Sequence, residues 1–176
     1  SADRRVVVTG RGVLSPLGHD WTSVLAWLKT GRNAVRRYDD WAQYKGLNTL
    51  LGVPAQDFEL PEHYTRKTMR SMGRVALLAT RASELALADA GLLGDPLLKS
   101  GKVGISYGSS AGTPASMSDF GRMLAEFNTQ YINATTYIRT MSHTTVANIS
   151  VFFGICGRVI TTSSACTSSS QGIGYA

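Results

Sequence analysis

The residues best placed to do chemistry stand together near the C-terminal end of the chain, in Ser163-Ser164-Ala165-Cys166-Thr167-Ser168. A β-branched run, Val159-Ile160-Thr161-Thr162, precedes them and reads as a buried strand. The residues that follow can open a helix, with the hydroxyls of Thr167 and Ser168 near its first turn. Cys166 therefore falls at a strand-to-helix turn. There it meets the positive end of a helix dipole and backbone N–H groups that lack intrahelical partners. Both favour thiolate over thiol, so Cys166 is the candidate nucleophile, ready near neutral pH. The same amides suit the oxyanion of a tetrahedral intermediate. A lone cysteine is more often a small buried hydrophobe, and Cys156, in Phe152-Phe153-Gly154-Ile155-Cys156, reads that way.

The elements that must hold Cys166 in place have to come from a chain of 176 residues, enough for one domain with a real core. A hydrophobic content of 43% with 17% charged residues speaks against disorder. No apolar run reaches the roughly 18 residues of a membrane helix. No secretory signal is visible, and the opening Ser1-Ala2 indicates a replaced or processed start. Two cysteines in unlike contexts make no disulfide framework, which fits a reducing cytoplasm. A net charge of +6 points to an acidic partner without choosing among nucleic acid, an anionic membrane and an acidic protein.

Taken in order, Arg4-Arg5-Val6-Val7-Val8-Thr9-Gly10 reads as a buried strand. Gly10-Arg11-Gly12 does not continue into a GxGxxG phosphate loop, so a dinucleotide site is not supported. Asp20 caps a helix from Trp21 to about Thr30, stopped by Gly31. Residues 32–65 are irregular, with one short strand. Arg66, Lys67 and Arg70 precede a strong helical pattern of Val75, Leu78, Ala79, Ala82, Leu85 and Ala86, ended by Gly91. Lys102 to Gly108 reads as the next strand, running into the small-residue loop Ser109-Ser110-Ala111-Gly112-Thr113-Pro114. A helix over about Ala115–Phe127, a linker, and a helix over about Ser142–Phe153 ended by Gly154 lead to the Cys166 strand. Strands alternating with helices give an α/β class with a mainly parallel sheet.

With these elements in order, the chain resembles the N-terminal half of a β-ketoacyl-[acyl-carrier-protein] synthase, an elongating condensing enzyme of the thiolase fold. The resemblance rests on three stretches: Arg5 to Gly18; Ala88-Asp89-Ala90-Gly91-Leu92 with Val103-Gly104-Ile105 and Gly108-Ser109; and Ser163 to Ser168. It implies a thiolase-like layered fold over residues 1–176 and a decarboxylative Claisen condensation in fatty-acid or polyketide-type elongation. Cys166 would take an acyl group from an acyl carrier protein, and malonyl-carrier would lose carbon dioxide and attack the acyl-enzyme, giving a 3-oxoacyl-carrier protein. The amide of Cys166 would be one oxyanion donor. The resemblance further implies a cytoplasmic homodimer with no cofactor, no metal, no nucleic acid and no membrane partner. It places Arg66, Lys67 and Arg70 in the cluster that meets the acidic carrier, and Ala111 on the acyl pocket, where a small side chain leaves room for a longer or stiffer chain. As bland alternatives, the basic cluster is a solvated helix start and Ala111 is merely tolerated.

Departures from the pattern bear on these expectations. The family completes its site with two histidines and a lysine C-terminal to the nucleophile, whereas His19, His63 and His143 all precede it and match none of those positions. His143 reads as structural. Gly73 stands where relatives usually carry aspartate after Met72. Ala176 falls inside an expected helix, so the chain reads as a piece of a longer enzyme that ends shortly after the nucleophile, with the C-terminal half as its partner. Two other readings stay open: a catalytically incomplete half-domain that binds carrier protein or a companion chain, and a coenzyme A thiolase.

Overall fold

The computed structural model describes residues 5–176. The elements that frame the candidate site are β3 (Ile105–Gly108) and β4 (Val159–Thr162), reached after β1 (Arg36–Arg37) and β2 (Leu51–Gly52). The helices are α1 (Trp21–Lys29), α2 (Arg66–Met69), α3 (Arg74–Asp89), α4 (Pro114–Glu126), α5 (Ala134–Thr140), α6 (His143–Phe153) and α7 (Ser168–Tyr175). β3 and β4 pair in parallel, Ile105 with Val159 through Gly108 with Thr162. A parallel pair needs a long crossover, and α4, α5 and α6 supply it. The α/β class with a parallel sheet is thus present, and no described helix is long and apolar enough to cross a membrane.

The layers follow from where small and branched residues fall. α6 buries Val146 and Ile149 and packs on α3, which turns Ala76 and Thr80 inward. Full burial of such an aliphatic side chain is worth about 1.5–3 kcal/mol, so this contact is the centre of the core. α6 also covers β3 and β4, and the first turn of α7 lies on β3. That approach depends on Gly108, where an added Cβ would stand 2.0 Å from the carbonyl oxygen of Ser168.

Several expectations are met by local chemistry. The Asp20 carboxylate accepts from the Ser23 N–H, capping α1, and the hydrogen bonds from Ser23 hold that carboxyl below the ordinary range. Gly31 and Gly91 take positive φ just past their helices, as stop residues do. Gly73, the N-cap residue of α3, has no side chain to cap with. Thr113, from the loop after β3, stands in: its Oγ1 accepts from the Val75 N–H at 3.4 Å and lies 2.1 Å from where a Gly73 Cβ would be.

Other expectations fail for identifiable reasons. Val6, Val7 and Val8 are not a buried strand: they are 92%, 69% and 84% exposed, because no described strand pairs with them. Arg4 lies outside the described residues. The segment instead crosses α3 through its glycines, and a Cβ on Gly12 would stand 2.0 Å from the Ala82 carbonyl oxygen. Residues 32–65 hold two short strands, not one, paired antiparallel as Arg36 with Gly52 and Arg37 with Leu51. The linker before α6 contains α5, nucleated by Asn133 in a capping box with Thr136. Cys156 is exposed, not buried: it follows the left-handed Gly154 that ends α6, and Ile155 between them is the residue that turns inward.

Candidate active site

β4 ends at Thr162 and α7 begins at Ser168, so the chain must reverse within a few residues. It does so through Ala165, whose φ of 50° places a non-glycine residue in the left-handed region, at about 1–2 kcal/mol. Cys166 follows directly, exposed and with a free thiol. Among the described residues, its N–H finds no hydrogen-bond acceptor. An N–H of that kind at the head of a helix can stabilise an oxyanion close to the thiol.

The turn is held by hydroxyls. Thr167 Oγ1 donates to the Ser164 carbonyl at 2.8 Å, and the Ser164 hydroxyl donates to Gln171 Oε1 at 2.8 Å. Thr162, buried at the end of β4, donates to the Ser168 carbonyl at 2.7 Å. The Ser168 hydroxyl accepts from the Ser164 N–H at 2.9 Å and donates to the Ala165 carbonyl at 2.7 Å. Thr167 occupies the N-cap position, but its side chain makes no capping bond to α7. The hydroxyls expected to cap the helix are spent on the turn instead.

The loop carrying Ala111 meets this turn. Ser110 Oγ lies 3.3 Å from Ser168 Oγ, so Ala111 follows a residue tied to the nucleophile turn. Ala111 itself is exposed. On its other side, the Gly112 N–H donates to the Thr140 carbonyl at 3.0 Å and the Thr113 N–H to the Arg139 carbonyl at 2.8 Å. Arg66 and Lys67 on α2, and Arg70 just past it, are exposed and have no ion-pair partner among the described residues. Arg139 reaches them: its Nη2 donates to the Arg70 carbonyl at 2.8 Å. Sequence reasoning missed Arg139, although it is the one Asp, Glu, Lys or Arg between Glu126 and Arg158.

The histidines lie elsewhere. His63 hydrogen-bonds through Nε2 to Glu84, which also accepts from Tyr64 at 2.8 Å and from Arg81. Burial pushes the Glu84 carboxyl up, but the bonds from Tyr64, Arg81 and His63 outweigh it and hold it below the ordinary carboxylate value. Burial and the neighbouring Glu84 push the Tyr64 hydroxyl up. His19 donates from Nε2 to the Asp57 carbonyl at 3.1 Å, and His143 opens α6, exposed. Among the described residues no group of histidine, cysteine, aspartate and glutamate is arranged to hold a metal ion.

Comparison with known proteins identifies the family. Nodulation protein E of Rhizobium meliloti (strain 1021) is 32% identical over 178 residues, covering 99% of this chain and 42% of that protein. The 3-oxoacyl-[acyl-carrier-protein] synthase 1 of Escherichia coli (strain K12) is 27% identical over 175 residues, covering 98% and 42%. The chain thus spans well under half the length of these relatives. A crystal structure of a β-ketoacyl synthase from Burkholderia phymatum STM815 superposes with a TM-score of 0.93 at 47% identity, over 99% of this chain and 43% of that one. A type II polyketide ketosynthase, AntDE, solved with its acyl-carrier protein AntF, shares the fold at a TM-score of 0.75 and 22% identity. Residues 3–176 match the family described as "Beta-ketoacyl synthase, N-terminal domain", and the chain belongs to that family.

Proposed function

We propose that this chain carries the nucleophile of a decarboxylative condensation in fatty-acid or polyketide-type elongation. The observation that carries the reading is the exposed Cys166, held between a left-handed Ala165 and the head of α7, its N–H without an acceptor among the described residues. Cys166 Sγ attacks the thioester carbon of an acyl carrier, the carrier's thiol leaves with the proton, and the acyl group stays on sulfur. Malonyl-carrier then loses carbon dioxide, and the resulting carbanion equivalent attacks the acyl-enzyme, releasing Cys166 and a 3-oxoacyl-carrier protein. His19 and His63 are engaged away from the turn and His143 stands at the head of α6; the groups assisting decarboxylation are proposed to come from C-terminal to the nucleophile, as the resemblance implies. The reaction needs no cofactor or metal.

The acyl carrier protein is the proposed partner, in acyl and malonyl forms. The structural neighbour AntDE was solved in complex with its acyl-carrier protein, and Arg66, Lys67 and Arg70, exposed and without an ion-pair partner among the described residues, offer an acidic protein a complementary surface. Ala111 is proposed to line the acyl pocket, because its neighbour Ser110 is tied to the nucleophile turn. A homodimer across β4 is proposed because β4 pairs only with β3 among the described strands, which leaves its other edge open. No nucleic-acid or membrane partner is proposed, and the cytoplasm is the proposed location, as the resemblance implies.

The test is transfer of label from a radioactive acyl-carrier onto the full-length protein, located by peptide mapping. Label on the Cys166 peptide of the parent and none in Cys166→Ala is expected. Equal labelling of both removes Cys166 as the nucleophile.

A further inference from the structure

We propose that Ser168 is a positioning residue for the Cys166 thiol, an inference that rests on the nucleophile reading above. Of the run Ser168-Ser169-Ser170, only Ser168 turns inward: it is 2% exposed, while the other two are exposed and their hydroxyls make no hydrogen bond among the described residues. A hydroxyl has one proton to give and two lone pairs to receive with. Ser168 Oγ uses all three. Its proton goes to the Ala165 carbonyl at 2.7 Å, and one lone pair takes the Ser164 N–H at 2.9 Å. The other faces Ser110 Oγ at 3.3 Å, which makes Ser110 the donor of that pair.

The consequence is mechanical. The two backbone groups that Ser168 grips, the Ser164 N–H and the Ala165 carbonyl, bracket the stretch from Ser164 through the left-handed Ala165, immediately before Cys166. The Ser168 backbone is fixed in turn, its N–H on the Ala165 carbonyl at 3.2 Å and its carbonyl under the buried Thr162 hydroxyl at 2.7 Å. One side chain therefore sets the direction in which Cys166 leaves the turn, and it does so against the loop that carries Ala111. Removing its oxygen leaves the part-buried Ser164 N–H unpaired beside the strained residue and frees the turn to relax.

The experiment uses the full-length protein and compares the parent, Ser168→Ala, Ser168→Thr, Ser110→Ala and, as an exposed control, Ser170→Ala. Alkylation by iodoacetamide is followed against pH, with Cys166 and Cys156 separated by peptide mapping. Single-turnover acylation from an acyl-carrier and thermal unfolding are measured alongside. Ser168→Ala is expected to alter the pH profile of Cys166 alkylation and to slow acylation about 10- to 100-fold at saturating carrier, since a misplacement near 1 Å costs on the order of 100-fold. Cys156 and the Ser170→Ala control are expected to be unchanged, and Ser168→Thr, which keeps the oxygen, to recover part of the loss. A folded Ser168→Ala whose Cys166 profile and acylation match the parent overturns the proposal. So does a change shared equally by Cys156, which would report general loosening. Should Ser168→Ala not fold, Ser110→Ala decides: a smaller change of the same sign supports the proposal, and no change overturns it. If the parent itself is never acylated, the nucleophile reading falls, while the alkylation profiles still decide what Ser168 does.

Discussion

Replacing Gly108 with alanine tests whether the close seat of α7 on β3 positions the nucleophile turn. An added Cβ would stand 2.0 Å from the Ser168 carbonyl oxygen, 2.3 Å from its carbon and 2.6 Å from the Ser169 nitrogen. Ordinary contact begins at 3.4 Å, so the first turn of α7 has to retreat by about 1.4 Å (3.4 − 2.0). The strand cannot yield instead: Gly108 is paired with Thr162, and the Ser109 N–H donates to the Thr162 carbonyl at 3.1 Å. Gly108 is not among the positive-φ glycines, so the effect is one of space and not of backbone strain. Overpacking costs about 1–3 kcal/mol, and stretching the buried bond from Thr162 to Ser168 adds about 0.5–1.5 kcal/mol. For a chain of this size the sum lowers Tm by about 3–18 °C. Because the retreat exceeds 1 Å, acylation of Cys166 should fall about 100-fold or more even where the protein is folded. Differential scanning calorimetry and single-turnover transfer from a labelled acyl-carrier read the two effects. Gly174→Ala is the control: it lies in the same helix with nothing within 4 Å of an added Cβ, and should be neutral or slightly stabilising. A Gly108→Ala protein that melts with the parent and acylates at the parental rate would refute the reasoning.

The Glu84 carboxyl is held below its ordinary value, so its network adds stability that is present above the unfolded pKa and lost as pH falls through the lower folded one. Glu84→Gln should therefore destabilise by about 1–3 kcal/mol at pH 7, a gap that narrows below about pH 4.5; urea titrations at several pH values check this, and a pH-independent gap contradicts it. Reversing Arg66, Lys67 and Arg70 to Glu should weaken carrier-protein binding and flatten its salt dependence, by titration at two ionic strengths. Unchanged affinity would leave that surface as solvated charge. Ala111→Ile should move acyl preference toward shorter chains in a competition assay, and an unaltered chain-length profile would remove Ala111 from the pocket.

What could be read from the residues alone was whatever local chemistry decides. The Asp20 cap, the Gly31 and Gly91 stops, and the β-branched run of β4 were legible because each depends on its immediate neighbours. Val6 to Val8 misled because a strand is buried only when something pairs with it, and no described strand does. α5 was hidden because Ala134-Thr135-Thr136-Tyr137-Ile138-Arg139-Thr140 is rich in β-branched residues, and its capping box outweighs that propensity. Cys166 stood out by type and place, but the network behind it did not. Choosing among Ser168, Ser169 and Ser170 requires the phase of a helix whose start cannot be fixed to one residue from sequence. Arg139 needed a tertiary fact, the carbonyl of Arg70 that it meets.

The borrowed cap on α3 constrains the order in which this protein can change. Gly73 and Thr113 are two halves of one solution, and each half is unfavourable without the other. An aspartate arriving at position 73 first would run its Cβ into Thr113 Oγ1, 2.1 Å away, before its carboxylate could cap anything. Loss of the Thr113 hydroxyl first would leave the Val75 N–H without its acceptor at the head of the core helix. A lineage moving between the self-capped and the cross-capped arrangement must pass through one of these weaker states or change both residues together. Positions 73 and 113 are therefore coupled although 40 residues apart in sequence, and the effect of a substitution at one depends on the residue at the other.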